Sequence, residues 1–269
     1  MEIMSSSAVA PVATGDMMEA TGDESAGKRP RLYREILLIA LCYSAYSLVR
    51  NLVPTTHTEA LRLGHQILDL ERFLHLDPER WINHLFIQVH WLGVAANYYY
   101  STLHFVVTPA VLAWLYLRHQ DRYVFYRRLI FATTVLALVG FWLLPLAPPR
   151  MLPGFVDTVL AFHTEGLYAS GASPIGSVSN QYAAMPSLHT GWALWCAIAV
   201  ADVVRPRWAK VLAFCYPAAT IIAILGTANH YFLDAVGGAI TLGVGYLATR
   251  GVRLVIPRLG PVARVFSTD

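Results

Sequence analysis

Six apolar stretches, at roughly 35–54, 96–117, 127–147, 187–204, 210–228 and 231–249, decide what this chain can become. Each approaches the roughly 20 residues an α-helix needs to cross the hydrocarbon core of a bilayer. Backbone polar groups at that depth must be satisfied within the segment itself, so the stretches read as helices. Composition agrees, with 56% of the 269 residues hydrophobic and only 14% charged, against about 25% charged in an ordinary soluble domain. The expected fold is all-α, a polytopic membrane protein built as a six-span helical bundle.

The segment 57–93, between the first two stretches, is different in kind. Over 59–73 it interleaves Leu61, Ile67, Leu68, Leu70 and, just beyond, Leu74 with Arg62, Asp69, Glu71 and Arg72. That pattern predicts an amphipathic helical segment lying on the membrane surface. Residues 1–30 are small and polar, acidic and then basic, without apolar periodicity, and read as a disordered tail rather than a signal peptide. The membrane domain is expected over 31–256, followed by a short cytoplasmic tail at 257–269. Cys42, Cys196 and Cys215 all lie in apolar segments, with no paired spacing for a disulfide framework or a thiolate metal site.

Orientation follows from the positive charges. Lys28, Arg29, Arg31 and Arg34 precede the first stretch, and Arg118, Arg122, Arg127 and Arg128 join the second to the third. Arg205, Arg207 and Lys210 join the fourth to the fifth, and Arg250, Arg253, Arg258 and Arg264 follow the sixth. These 15 of the 20 Lys and Arg residues fall on one side, whereas Arg50, Arg62, Arg72, Arg80 and Arg150 fall on the other. Both termini are therefore expected in the cytoplasm, and the plasma membrane is the expected location.

On that topology three polar clusters meet at the outer face. The first is PLAPPR, 145–150, whose prolines end a helix and force an extended turn. Arg150 follows at once and is the only Lys or Arg between 147 and 185. An isolated interfacial arginine is ordinarily a headgroup anchor. Held by a rigid turn, its guanidinium becomes a fixed fork of donors suited to phosphate.

The second cluster is PSLH, 186–189, where Pro186 and Ser187 read as a helix start. A first turn presents free N–H groups and the positive end of the helix dipole, which together favour an anion. His189 lies in that turn. The third is HYFLD, 230–234. On a helix His230 and Asp234 stand at i and i+4 and share a face. The carboxylate can fix the imidazole tautomer and leave the second ring nitrogen as a nucleophile or base. Gly237, Gly238 and Gly243 downstream suggest close packing of that helix. Together the clusters suit phosphoryl transfer in which one His attacks phosphorus and the other protonates the leaving oxygen, with no cofactor and no metal.

The motifs resemble the type-2 phosphatidic acid phosphatase superfamily, the lipid phosphate phosphatases, whose pattern is KxxxxxxRP, PSGH and SRxxxxxHxxxD on a six-span bundle. The resemblance covers about residues 35–255. It implies His230 as nucleophile, Asp234 as its orienting partner and His189 as acid–base, with Ser187 and Arg150 as phosphate ligands. Departures are visible: PSLH stands for PSGH, no lysine precedes Arg150 at the family spacing, and Ile224 occupies the place of the motif arginine. Arg50 and His104 are further candidates for the phosphate site. PSLHTG and NHYFLDAVGG look closer to the inositol phosphorylceramide synthase-like branch, which passes a phospho-headgroup to an alcohol instead of water.

The expected partners are therefore a membrane lipid phosphate substrate and the bilayer, with no nucleic acid. Two other readings start from the same residues. One is an intramembrane zinc hydrolase with His189, His230 and Asp234 as ligands. The other is a proton-coupled transporter using the His–Asp pair as a relay.

Overall fold

The computed structural model describes residues 30–53, 56–164 and 181–255. The tail read over 1–30 lies outside them but for Pro30, and the tail read over 257–269 and the stretch 165–180 lie outside them altogether. Among these residues nine α-helices follow in order: α1 (Leu32–Asn51), α2 (His57–Phe73), α3 (Pro78–Gln88), α4 (His90–Arg118), α5 (Gln120–Leu143), α6 (Thr158–Phe162), α7 (Leu188–Val203), α8 (Arg207–Gly226) and α9 (Phe232–Val255). A single 3-10 turn, Pro149–Met151, lies between α5 and α6, and no strand occurs among the described residues. The chain is an all-α, multi-pass membrane protein.

Among the described residues five helices, α1, α4, α5, α8 and α9, are long and apolar enough to cross a membrane. The sixth expected crossing, α7, has 16 residues and falls short of that length. It is the helix most enclosed by protein, packing against α4, α5, α8 and α9. Trp195, Ala193 and Ala199 on it are completely buried. The helices α4 and α5 begin six and seven residues before the apolar stretches do. Helical hydrogen bonding continues through polar interfacial turns that hydropathy does not mark.

α1 stands at the edge of the bundle and meets α5. Most of its residues are exposed, but Glu35 is buried and accepts from Tyr123 Oη at 2.7 Å. Arg127 completes that anchor as an ion pair with Glu35. A charge otherwise costly in an apolar helix is thereby paired at its end.

The expected surface segment 57–93 is two helices and the start of a third. α2 ends at Phe73, and His75 adopts a left-handed φ of 57° while its N–H bonds the Arg72 carbonyl. α3 then starts at Pro78, whose missing N–H costs nothing at a first turn. α2 is amphipathic as expected, yet its inner face packs on protein. Ala60, Gly64, Leu68 and Glu71, at helical spacing, are buried. Reading Glu71 as part of the polar outer face is therefore wrong: it is 0% exposed. The i, i+4, i+8, i+11 stripe carries it inward, and charge alone did not show that.

Gly64 makes room for the centre of this end of the molecule. A Cβ there would come within 2.9 Å of Tyr231 Oη and 3.1 Å of the Ala147 carbonyl. Tyr231, completely buried, donates to that same carbonyl at 2.9 Å and joins Leu68, Leu146, Leu152 and Ala184 in one apolar cluster. The chain after α5 is stitched down by backbone bonds from Leu146 to Tyr182, Ala147 to Ala60 and Arg150 to Ala228. One end of the bundle is thus closed by α2, α3 and the proline turn.

Candidate active site

Two backbone joints bring the sequence-distant motifs together at that closed end. Ser187 is the N-cap of α7, its Oγ accepting from Thr190 N–H at 3.4 Å. Its own N–H donates to the Asp234 carbonyl at 2.9 Å. Gly238 permits the approach, because a Cβ there would lie 2.3 Å from the Ser187 carbonyl. Gly237 packs on Pro186 with room for an ordinary contact, a Cβ there lying 3.4 Å away, whereas Gly243 meets nothing within 4 Å and takes no part in the packing expected of it.

His230 lies before α9, not on it. α8 ends at Gly226, Ala228 takes a left-handed φ of 52°, and the Asn229 and His230 amides both return to the Ile224 carbonyl. The chain turns sharply there, and Asp234 occupies the first turn of α9. The expected stacking of the pair along one helix face is thus corrected. The residues meet because Asp234 folds back over the helix start, its Oδ2 accepting from Tyr231 N–H at 3.0 Å and facing His230 Nδ1 at 3.1 Å. Both side chains are buried. With Nδ1 committed to the carboxylate, Nε2 is the nitrogen left for chemistry.

His189, in the first turn of α7, turns its ring edge toward His230 with centroids 5.5 Å apart. Tyr100 stacks on it at 4.3 Å and His104 meets it edge-on at 4.4 Å. Tyr100 and His104 stand four residues apart on α4 and so present one face to the same ring. His189 Nε2 and His104 Nδ1 are buried without a hydrogen-bond partner among the described residues. Beside the two histidines, Tyr99, Tyr100, Tyr216, Thr220 and Ile224 line a small cavity.

Arg150 is held from three sides. Its N–H bonds the Ala228 carbonyl at 2.9 Å, its Nη1 donates to Asn229 Oδ1, and its Nε lies 3.5 Å from Asp157 Oδ2. It is thus fixed one residue from His230, on the proline turn the sequence marks. Arg50, in the last turn of α1, hydrogen-bonds Tyr46, and its charge reaches Tyr100, His104 and His189. The fold therefore gathers His230, Asp234, His189, Ser187 and Arg150, with His104 and Arg50 at the margin.

Four contributors were not singled out from sequence. Asn229 joins Arg150 to Thr227, donating to its Oγ1 at 2.8 Å. Tyr100 packs on His189, and its i, i+4 spacing to His104 was the available signal. Glu71 and Glu79 are buried behind α9, with no sequence signal beyond their charge. Among the described residues no group of three or more His, Cys, Asp or Glu is placed to hold a metal ion, so the three-ligand zinc set is not assembled.

A family model of the PAP2 superfamily matches residues 65–248. The chain belongs to the PAP2 superfamily. The matched span begins inside α2 and ends near the end of α9, so it contains the proline turn, PSLH and HYFLD. Among curated proteins and among solved structures, nothing matches this PAP2 superfamily chain. Membership and the apolar helices together fit a membrane-embedded phosphoric ester hydrolase.

Proposed function

We propose that this protein is an integral membrane lipid phosphatase or phosphotransferase, acting on a phospholipid or polyprenyl phosphate through a phosphohistidine on His230. The observation that carries the reading is the His230–Asp234 contact of 3.1 Å with the His189 ring beside it. His230 Nε2 forms a bond to phosphorus as the bond to the leaving oxygen breaks, and His189 supplies that oxygen with a proton. In the second half, an acceptor O–H gives its proton to His189 while its oxygen displaces His230. Asp234 stabilises the cationic ring that forms at each stage. Arg150, pinned through Asn229, and the α7 N-terminus with Ser187 face the phosphoryl oxygens, and Arg50 adds charge from α1.

Either water or an alcohol is the acceptor in this reading, and transfer to an alcohol, as in the inositol phosphorylceramide synthase-like branch, is favoured. Support comes from Ile224, which puts an apolar, 1% exposed side chain where the superfamily motif has an arginine. With one cation fewer, binding of a bare phosphate monoester loses support. The positive-charge pattern supports an extracytoplasmic site with both termini inside, which a lipid would enter laterally. The deciding assay incubates purified protein with labelled lipid phosphates, with and without inositol. Free phosphate marks hydrolysis and a new inositol phosphate marks transfer. Full activity of His230→Ala on every lipid tested would sink the reading.

A further inference from the structure

Behind the His230–Asp234 pair lies a second pair of acids that the mechanism above does not use. Glu71 on α2 and Glu79 on α3 are both 0% exposed, like Asp234. Glu71 Oε1 accepts from Leu233 N–H at 2.6 Å, across a separation of 162 residues. Leu233 is in the first turn of α9, one residue before Asp234, where backbone N–H groups have no partner within the helix. A carboxyl from another helix therefore caps the helix that carries Asp234.

The rest of Glu71 faces Glu79. Their carboxyls are within hydrogen-bonding reach of each other. Apart from the Glu79 backbone N–H, Glu71 Oε2 and both Glu79 oxygens have no other donor among the described residues. Among the described residues no ion pair includes either acid. The groups facing them are Asp77 just ahead of α3, Asp234, and the Tyr231 phenol, none of which brings positive charge. Of the two arginines adjacent in sequence, Arg72 pairs with Asp69, and Arg80 lies over the Phe155 ring and against Gly154. Two carboxyls in that setting can face each other only with a proton between them.

We propose that Glu71 and Glu79 are positioning residues for the His230–Asp234 pair, a proton held between their carboxyls allowing Glu71 to cap α9 without adding bare negative charge beside Asp234. The inference rests on the assignment of His230 as nucleophile. α3 completes the support from the other side, since Asn83 donates to the Gly226 carbonyl at 2.9 Å and accepts from Val156 N–H at 2.9 Å. The turn 226–231, which carries Asn229 and His230, is thus clamped at the end of α8 by Asn83 and at the start of α9 by Glu71. Burial, then the bond with Glu79, pushes the Glu71 carboxyl up to about 10, opposed by the Leu233 N–H. Burial also raises Glu79.

The test compares Glu71→Gln with Glu71→Leu in the full-length purified protein. The glutamine keeps an acceptor for Leu233 and a donor for Glu79, while the leucine has neither. Turnover of the leucine variant should fall about 10–100-fold, the size of effect seen when a supporting residue is lost, with KM within about twofold. The glutamine should restore most of that loss and flatten the decline of kcat at alkaline pH, because its donor cannot be titrated. Infrared spectra supply a readout that needs no turnover: a protonated-carboxyl band at neutral pH, absent in Glu71→Gln and retained in His230→Ala. Equal kcat and equal pH profiles in parent, glutamine and leucine forms would overturn the proposal. So would the lack of that band in the unmutated protein, even were the leucine form unable to fold. Loss of the band in Glu71→Gln alongside an active His230→Ala would instead reject the nucleophile assignment and leave the shared proton standing.

Discussion

Ser187 donates its backbone N–H to the carbonyl of Asp234 at 2.9 Å, so the cap of α7 and the first turn of α9 are one unit. The bond sets His189, two residues past Ser187, against His230, four residues before Asp234. A change that separates these helix starts should therefore cost activity before it unfolds the bundle.

Gly238→Ala is such a change. Its Cβ would lie 2.3 Å from the Ser187 carbonyl, and a backbone atom has little freedom to yield. Destabilisation of about 1–3 kcal/mol is expected for overpacking of this kind, together with a large fall in turnover. Gly243→Ala on the same helix meets nothing within 4 Å and should be neutral or stabilising by roughly 0.5–1 kcal/mol. Thermal unfolding and turnover of the two variants, measured side by side, check the contrast.

Asp234→Asn keeps the size of the side chain while losing the charge that orients and stabilises the His230 ring. A fall in kcat on the order of 10³–10⁴-fold is expected, the scale known for a His–carboxylate pair in another enzyme class. Helix content by circular dichroism should stay at the parent level. A kcat within tenfold of the parent would detach Asp234 from the chemistry.

Arg150→Lys preserves the charge but not the fork that reaches Asn229 and Asp157. A point charge on a flexible stem should hold the phosphoryl group less well, lowering kcat/KM about 10–100-fold. Asn229→Ala should resemble it, because it frees the guanidinium to move. Kinetics of both variants on one lipid phosphate would show whether the two effects overlap or add.

Stability should fall with rising pH. Folding raises the Glu71 carboxyl from 4.5 to about 10, so above 4.5 the folded protein keeps a proton that the unfolded chain has released. The stabilisation is therefore complete below that value and is lost progressively until the folded group itself titrates, with a slope of at most about 1.4 kcal/mol per pH unit. Glu71→Gln should flatten the dependence between pH 5 and 10. Thermal scans across that range, in the same detergent, measure it.

The apolar stretches made the bundle legible, because lipid solvation writes itself directly into hydropathy. They did not show the length and enclosure of α7, which depend on neighbours that a single segment does not reveal. The residues that the fold gathers at the candidate site were also legible: His189, His230, Asp234, Ser187 and Arg150 are polar groups in apolar or proline-rich surroundings, where each stands out. The way His230 and Asp234 meet was not, because the sharp turn at Ala228 puts a residue with a Cβ where a glycine would have marked the break. Glu71 stayed hidden for a different reason. On an amphipathic helix a buried acid and an exposed one look the same until the partner surface, here the start of α9, is known.

The central claim is that His230 carries the phosphoryl group, and trapping that intermediate tests it most directly. Brief exposure of the protein to a labelled lipid phosphate, followed by denaturation and peptide mapping, should place an acid-labile, base-stable label on His230. The label should be absent in His230→Ala and chased off by the acceptor alcohol. Turnover without any such label, or a label on another residue with His230→Ala still active, would contradict the account.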